Sequence, residues 1–190
     1  MSGDFKTVHY TIHTDKPGTS FRIVHLSDLH LSEHGPGNSC LIGACESEKP
    51  DIILLTGDMV NSKAETESEL APAIELVRGL SGTAPVYAVN GNHESKLRRR
   101  DPDLYKVYTA AVKAAGAVIL NNKSARATVR GRNLRITGVE LPYTAYKKMQ
   151  KIHFSREDLA ARVGDVPSDG AEAPYQILLA HSPAFAESYA

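Results

Sequence analysis

Apolar positions along this chain follow two rhythms. Short unbroken runs that end in polar turns alternate with stretches in which apolar residues recur every three or four positions. The first run, Phe21 to Leu26, leads into Ser27-Asp28-Leu29-His30. After a loop, His34-Gly35-Pro36-Gly37, Asn38 or Ser39 can cap a helix that carries Leu41, Ile42 and Cys45 and ends before Pro50. Ile52 to Leu55 is apolar throughout, as in a strand of a parallel sheet covered on both faces, and it ends at Thr56-Gly57-Asp58. Leu70, Ile74, Val77 and Leu80 have helical spacing. Pro85 to Val89 is a third strand, running into Asn90-Gly91-Asn92-His93-Glu94.

A second amphipathic helix follows, with Leu104, Val107, Tyr108, Ala111, Val112 and Ala115, and Gly116 stops it. Val118 to Leu120 is a short strand. Ala127 to Val139 predicts a hairpin turning at Gly131-Arg132-Asn133, which can supply antiparallel strands to a second sheet. Ser155-Arg156-Glu157-Asp158 resembles a capping box and opens a helix through Val163. After a polar loop from Gly164 to Pro174, Gln176 to Ala180 forms the last strand. Ser182 then caps a further helix, with Pro183 at its first position. Alternating strands and helices predict an α/β domain, and with no repeat or linker in view we expect residues 1–190 to form one unit.

Composition narrows the picture. In 190 residues, 42% apolar and 23% charged is the balance of a water-exposed globular protein. Lys plus Arg and Asp plus Glu number 22 each, so net charge supplies no pull toward nucleic acid or an acidic membrane. Cys40 and Cys45 fit neither a CxxC redox pair nor a zinc knuckle, and they read as reduced, partly buried helical thiols. No run approaches the ~18 apolar residues of a membrane span, and Met1 to Lys6 does not lead into a signal-peptide core. The expected location is cytoplasmic or membrane-peripheral.

The candidate chemistry sits where the strands end. Asp28 and His30 follow the first, Asp58 the second, Asn92 and His93 the third, and His181 the last. In open α/β sheets, ligands bind outside the carboxyl ends of strands. Side chains two apart on a strand share a face, so Asp28 and His30 are expected to approach one metal from the strand end. Gly57 and Gly91 permit sharp turns beside the candidate ligands. Asp, His and Asn together suit manganese, iron or zinc better than calcium. Asp58, central in chain order, is the expected bridge between two ions. Each fragment alone has an ordinary reading: Gly57-Asp58 as a turn, His181 as a satisfied structural histidine. Their serial placement after apolar strands is what singles them out.

The segments SDLH, TGDMVN, GNHE and LLAHSP resemble the successive motifs of the calcineurin-like metallophosphoesterases. Within that family, FRIVHLSDLH and PDIILLTGD are most similar to the bacterial YaeI-type phosphodiesterase branch. The resemblance runs from about Tyr10 to Tyr189. It implies a four-layer α/β/β/α sandwich and a dinuclear site holding two divalent metal ions. It further implies that Asp28 and His30 bind one metal, that Asp58 bridges both, that Asn92 and His181 bind the second, and that His93 is a non-ligand proton donor. The implied reaction is hydrolysis of a phosphodiester or phosphomonoester by metal-activated water, on a small-molecule or lipid-linked substrate.

Two departures qualify the resemblance. Asn61 stands where relatives often have Asp, at a position that is not a ligand. The family's later Gly-His-Xaa-His motif does not follow His181, and His9, His13, His25, His34 and His153 lie in the wrong places to replace it. The expectation is therefore a domain missing its C-terminal portion, with one protein ligand short at each metal and impaired hydrolysis. An exposed sheet edge is expected to favour self-association. The rival reading is a catalytically inactive interaction module on the same fold. A nuclease would share the metals but call for a basic groove. Arg98-Arg99-Arg100 reads as a solvated loop before the Asp101-Pro102 turn, and the Lys147, Lys148, Lys151 run as a solvated helix or loop face, rather than binding patches.

Overall fold

The computed structural model describes residues 5–14, 18–146, 153–164 and 174–189. The Lys147, Lys148, Lys151 run, Met1 to Asp4 and most of the polar loop before Pro174 lie outside the described residues.

Four strands, β1 (Ile23–Leu26), β2 (Ile52–Leu55), β3 (Val86–Ala88) and β4 (Ala117–Ile119), form a parallel sheet in the order β1-β2-β3-β4. The unbroken apolar run of β2 has the expected cause. Ile53 and Leu55 face a cluster built with the helices, whereas Ile52 and Leu54 face the second sheet. Val86 and Tyr87 of β3 divide in the same way.

Helices α1 (Ser39–Ser47), α2 (Ala71–Ser81), α3 (Asn92–Arg100) and α4 (Pro102–Ala114) all contribute to the first cluster, through residues such as Leu41, Leu76, Leu97 and Tyr108. The second sheet contains β5 (Lys123–Val129), β6 (Arg132–Val139) and β7 (Tyr175–Ala180), with β5 and β6 antiparallel and β6 and β7 parallel. Its inner residues Leu134, Ile136 and Leu179 meet Ile52, Leu54 and Tyr87 of the first sheet. Its outer face, with Val139 and Leu178, is covered by α5 (Arg156–Val163) through Leu159. The result is helices, sheet, sheet and helix in four layers. The chain closes with a 3₁₀ turn at Pro183–Phe185, in which Ser182 Oγ accepts the Ala184 N–H, and with α6 (Ala186–Tyr189). Among the described residues, no helix is long and apolar enough to cross a membrane.

Three local expectations are corrected, and one helix goes beyond them. Residues 92–100 form α3, whereas the sequence offers no apolar periodicity there; Leu97 is its one buried large apolar side chain. The hairpin turns at Arg130 and Gly131, both at positive φ (49° and 78°), with Val129 paired to Arg132, and β5 begins earlier, at Lys123. Asn38 precedes α1 but does not cap it: its side chain accepts the His34 N–H and donates to the Pro72 carbonyl. Of the two free thiols, Cys45 is buried but Cys40 is exposed.

At the end of the strands remote from the candidate ligands, Asp51 ties the sheets together. Its carboxylate accepts the Arg22 N–H at 2.7 Å and Arg130 Nε at 2.7 Å. Partial burial pushes this carboxyl up, but the bonds from Arg130 and Arg22 outweigh it and hold it below the usual value. A lowered folded-state pKa means a contribution that is complete above the unfolded value of about 4 and is lost as pH falls through the folded value. Asp51→Asn is expected to cost about 1 kcal/mol near neutral pH. Calorimetric melts should show its Tm deficit constant from about pH 7 to pH 5 and shrinking below about pH 4.

Candidate metal centre

β1, β2 and β3 end side by side because the first sheet is parallel, and β7 brings a fourth end from the second sheet. Past Leu26 the chain does not continue as a strand. Asp28, His30 and Leu31 have φ of 59°, 50° and 63°, a left-handed path in which Asp28, His30 and Leu31 donate their backbone N–H groups to Gly57, Asp58 and Met59. Asp28 and His30 therefore converge, Oδ1 to Nε2 at 3.6 Å, through a folded loop and not through strand alternation as expected.

The second and third strand ends touch. Gly57 has φ of 94°, and a Cβ there would lie 2.2 Å from the Gly91 nitrogen; a Cβ on Gly91 would lie 2.2 Å from Asp58 Oδ1. Both glycines are required by this contact. Asp58 itself is at φ 53° and buried. Its Oδ1 accepts the His93 N–H at 2.7 Å, at the N-terminus of α3, where the helix dipole favours a carboxylate.

Two groups of donor atoms form around Asp58. His30, Asp58 and His93 have ligand atoms within 4.8 Å of one another, and so do Asp28, Asp58 and His181. His30 Nε2 is 3.8 Å and His181 Nε2 3.4 Å from Asp58 Oδ2. Asn92 Oδ1 lies 3.3 Å from His181 Nε2. The structure thus brings together all six residues picked out in the sequence, and the distances within each His/Asp group are those of groups that could hold a divalent metal.

The imidazoles differ in what holds them. His181 Nδ1 donates to the Thr56 carbonyl at 2.9 Å, so the neutral ring has its lone pair on Nε2, among oxygens of Asp58 and Asn92. Such a convergence of acceptors fits a cation. His93 is reversed. Its Nδ1 accepts the Ser62 N–H at 2.9 Å, so the neutral ring carries its proton on Nε2. The two rings His30 and His93 meet edge to face at 4.6 Å.

Charge and burial set the titrations. Burial pushes the Asp58 carboxyl up, but His181 and the His93 N–H outweigh it and hold it below its usual range. Burial pulls His181 down, and Asp58 more than compensates, so this imidazole is raised. His93 is lowered, first by burial, with His30 and Lys96 adding to this against Asp58.

The sequence reading gave no role to Glu94, which proves central. It is 2% exposed. Its Oε2 accepts N–H groups of Asp58 (2.8 Å) and Gly91 (2.9 Å), and its Oε1 those of Met59 (2.8 Å) and Val60 (3.3 Å). Burial and the Asp58 charge push its carboxyl up, while these donors oppose the shift. The available signal is Gly91-Xaa-Xaa-Glu94, the spacing of a helix cap and its N3 acid. Glu140, also unassigned beforehand, accepts from Asn90 Nδ2 at 2.8 Å and Arg98 Nη1 at 3.0 Å, joining the end of β6 to β3 and α3. The triple arginine is accordingly a helix end with partners, not the solvated loop expected: Arg98 bonds Glu140, Arg99 stacks on Tyr143 at 4.5 Å and Arg100 donates to the Ala64 carbonyl.

Comparison with known proteins places this geometry. The profile of the family described as Calcineurin-like phosphoesterase matches residues 21–190. The uncharacterized metallophosphoesterase YkoQ of Bacillus subtilis (strain 168) is 29% identical over 118 residues, 62% of this chain and 42% of that protein. An uncharacterized metallophosphoesterase of Aquifex aeolicus (strain VF5) is 36% identical over 92 residues, 45% of this chain and 33% of that protein. Phosphodiesterase YaeI of Escherichia coli (strain K12) is 28% identical over 120 residues, 62% of this chain and 43% of that protein. The chain spans less than half the length of these curated relatives.

Each Glu94 oxygen faces two N–H donors, so an amide at this position would set its NH₂ against two of them. Glu94→Gln is expected to lower unfolding free energy by roughly 2–4 kcal/mol, measured by urea denaturation of the metal-free protein, whereas an exposed control such as Glu67→Gln should change it by less than about 0.5 kcal/mol.

Proposed function

The chain belongs to the calcineurin-like phosphoesterase family, and we propose that it carries the core of a metal-dependent hydrolase acting on a phosphodiester or phosphomonoester. The observation that carries this reading is that the Asp58 carboxylate is common to both groups of donor atoms. A carboxylate so placed can hold two cations at once. In this reading Asp28 and His30 would serve one cation, Asn92 and His181 the other, and Asp58 both, a division that differs from the two geometric groups, which set His93 with His30 and Asp28 with His181. Manganese, iron or zinc are the fitting metals. When bound, the cations would activate water and offset the charge of the reacting phosphoryl group.

The protein's own residues supply the rest. Thr56 and Asp58 orient His181, so that its Nε2 stays directed into the donor cluster. Glu94 and the paired glycines hold Asp58 and Asn92 in register without entering the cluster. His93 is the proton donor to the departing alkoxide. Its Nδ1 is engaged by Ser62, which leaves a proton on the Nε2 side of even the neutral ring. The substrate is a small-molecule or lipid-linked phosphoester, and the similarity to a protein named as a phosphodiesterase favours the diester.

Metal content by elemental analysis and turnover of bis(p-nitrophenyl) phosphate and p-nitrophenyl phosphate test the reading. Asp58→Asn is expected to reduce bound manganese sharply and to abolish turnover. His93→Gln should keep its metal and lose about 10²–10³-fold in kcat, with the larger loss for alkyl esters, whose leaving oxygen most needs a proton. Wild-type metal content in Asp58→Asn would overturn the assignment.

A further inference from the structure

We propose that Tyr146 is a substrate-binding residue of this centre, its phenol donating a hydrogen bond to a non-bridging oxygen of the bound phosphoester. The inference rests on the phosphoesterase reading and deepens it.

Tyr146 closes a 3₁₀ turn, Tyr143–Tyr146, that follows β6 at the strand ends where the donor cluster lies. Its ring centroid is 6.0 Å from that of His181, with the planes tilted by 58°. The body of the ring packs against the outer cluster of Val139, Leu141, Phe154 and Leu159. Its hydroxyl is buried and has no hydrogen-bond partner among the described residues. Among the described residues the other buried side-chain atoms of this kind belong to Ser81, Arg132 and Gln176. Ser81 ends α2 just before β3, and Arg132 and Gln176 lie at the starts of β6 and β7, so these three are at the opposite ends of the strands. Tyr146 is thus the one such group beside the candidate centre.

An unpaired buried hydroxyl weakens the free protein, and a phenylalanine would fill the same apolar space without that cost. The phenol carries its proton near neutral pH and can donate it. The Tyr146 ring lies on the His181 side of the centre, whereas the His93 ring adjoins His30, so the proposed contact falls to substrate oxygens on the His181 side.

Tyr146→Phe separates this role from a structural one. Four quantities decide: the melting temperature of the metal-free protein, manganese affinity, affinity of the manganese-loaded protein for inorganic phosphate, and kcat/KM for bis(p-nitrophenyl) phosphate. The expected result is an unchanged or higher melting temperature, unchanged manganese binding, and phosphate affinity and kcat/KM each lowered roughly tenfold. Unchanged phosphate affinity, or a melting temperature that falls with it, would overturn the proposal while leaving the hydrolase reading intact. Wild-type protein that binds manganese and phosphate through Tyr146 but turns over neither ester would remove the hydrolase reading and keep the contact. Wild-type protein that binds no phosphate in the presence of manganese would remove the contact.

Discussion

A single buried carboxylate fixes the geometry on which the site depends. Glu94 gathers four backbone N–H groups, three from the loop after β2 and one from the loop after β3. These groups point inward because Gly57 and Asp58 take positive φ, and without an acceptor they would be buried donors with nothing to bond. The glycine pair allows the two loops to touch, and the carboxylate makes the touching favourable. Asp58 and Asn92 then emerge from adjacent strand ends with little freedom left to them.

The second constraint is the joint between the sheets. His181 belongs to a strand of the other sheet, yet its Nδ1 is bonded to Thr56 at the end of β2. Glu140, at the end of β6, holds Asn90 and Arg98 of the first sheet's β3–α3 segment. Gly138 allows β6 to approach closely, since a Cβ there would lie 2.2 Å from the Leu120 carbonyl oxygen. The inner apolar residues supply most of the driving force for this packing, because dispersion and burial act without direction. The polar bonds at the seam determine where along the strands the sheets come to rest.

Two histidines from neighbouring strand ends, His93 and His181, reach the same carboxylate with opposite ring polarity. The cause is the backbone atom each one meets: an N–H at Ser62, a carbonyl at Thr56. A residue type that would otherwise be ambiguous between ligand and acid is sorted by its neighbour. Tyr146 extends this logic: its ring packs beside the ring whose lone pair faces the cluster, and its buried hydroxyl has no partner among the described residues.

The sequence by itself determined the parallel strands and the order of the candidate ligands. Apolar runs such as Ile52–Leu55, followed at once by Gly-Asp or Asn-Gly-Asn-His, carry both signals locally, and strand direction alone places their ends together. It also determined α2, α4 and the Ser155 cap, where periodicity or capping chemistry lies within a few residues. Only the tertiary structure decided the roles of Glu94, Glu140 and Tyr146, the left-handed path that brings Asp28 to His30, and the formation of α3 from a polar segment. These depend on partners distant in sequence, such as Asp28 with Gly57, Glu94 with Asp58 to Val60 or Glu140 with Asn90. A buried polar group is explained by what surrounds it, and no local pattern of apolar and polar positions records that.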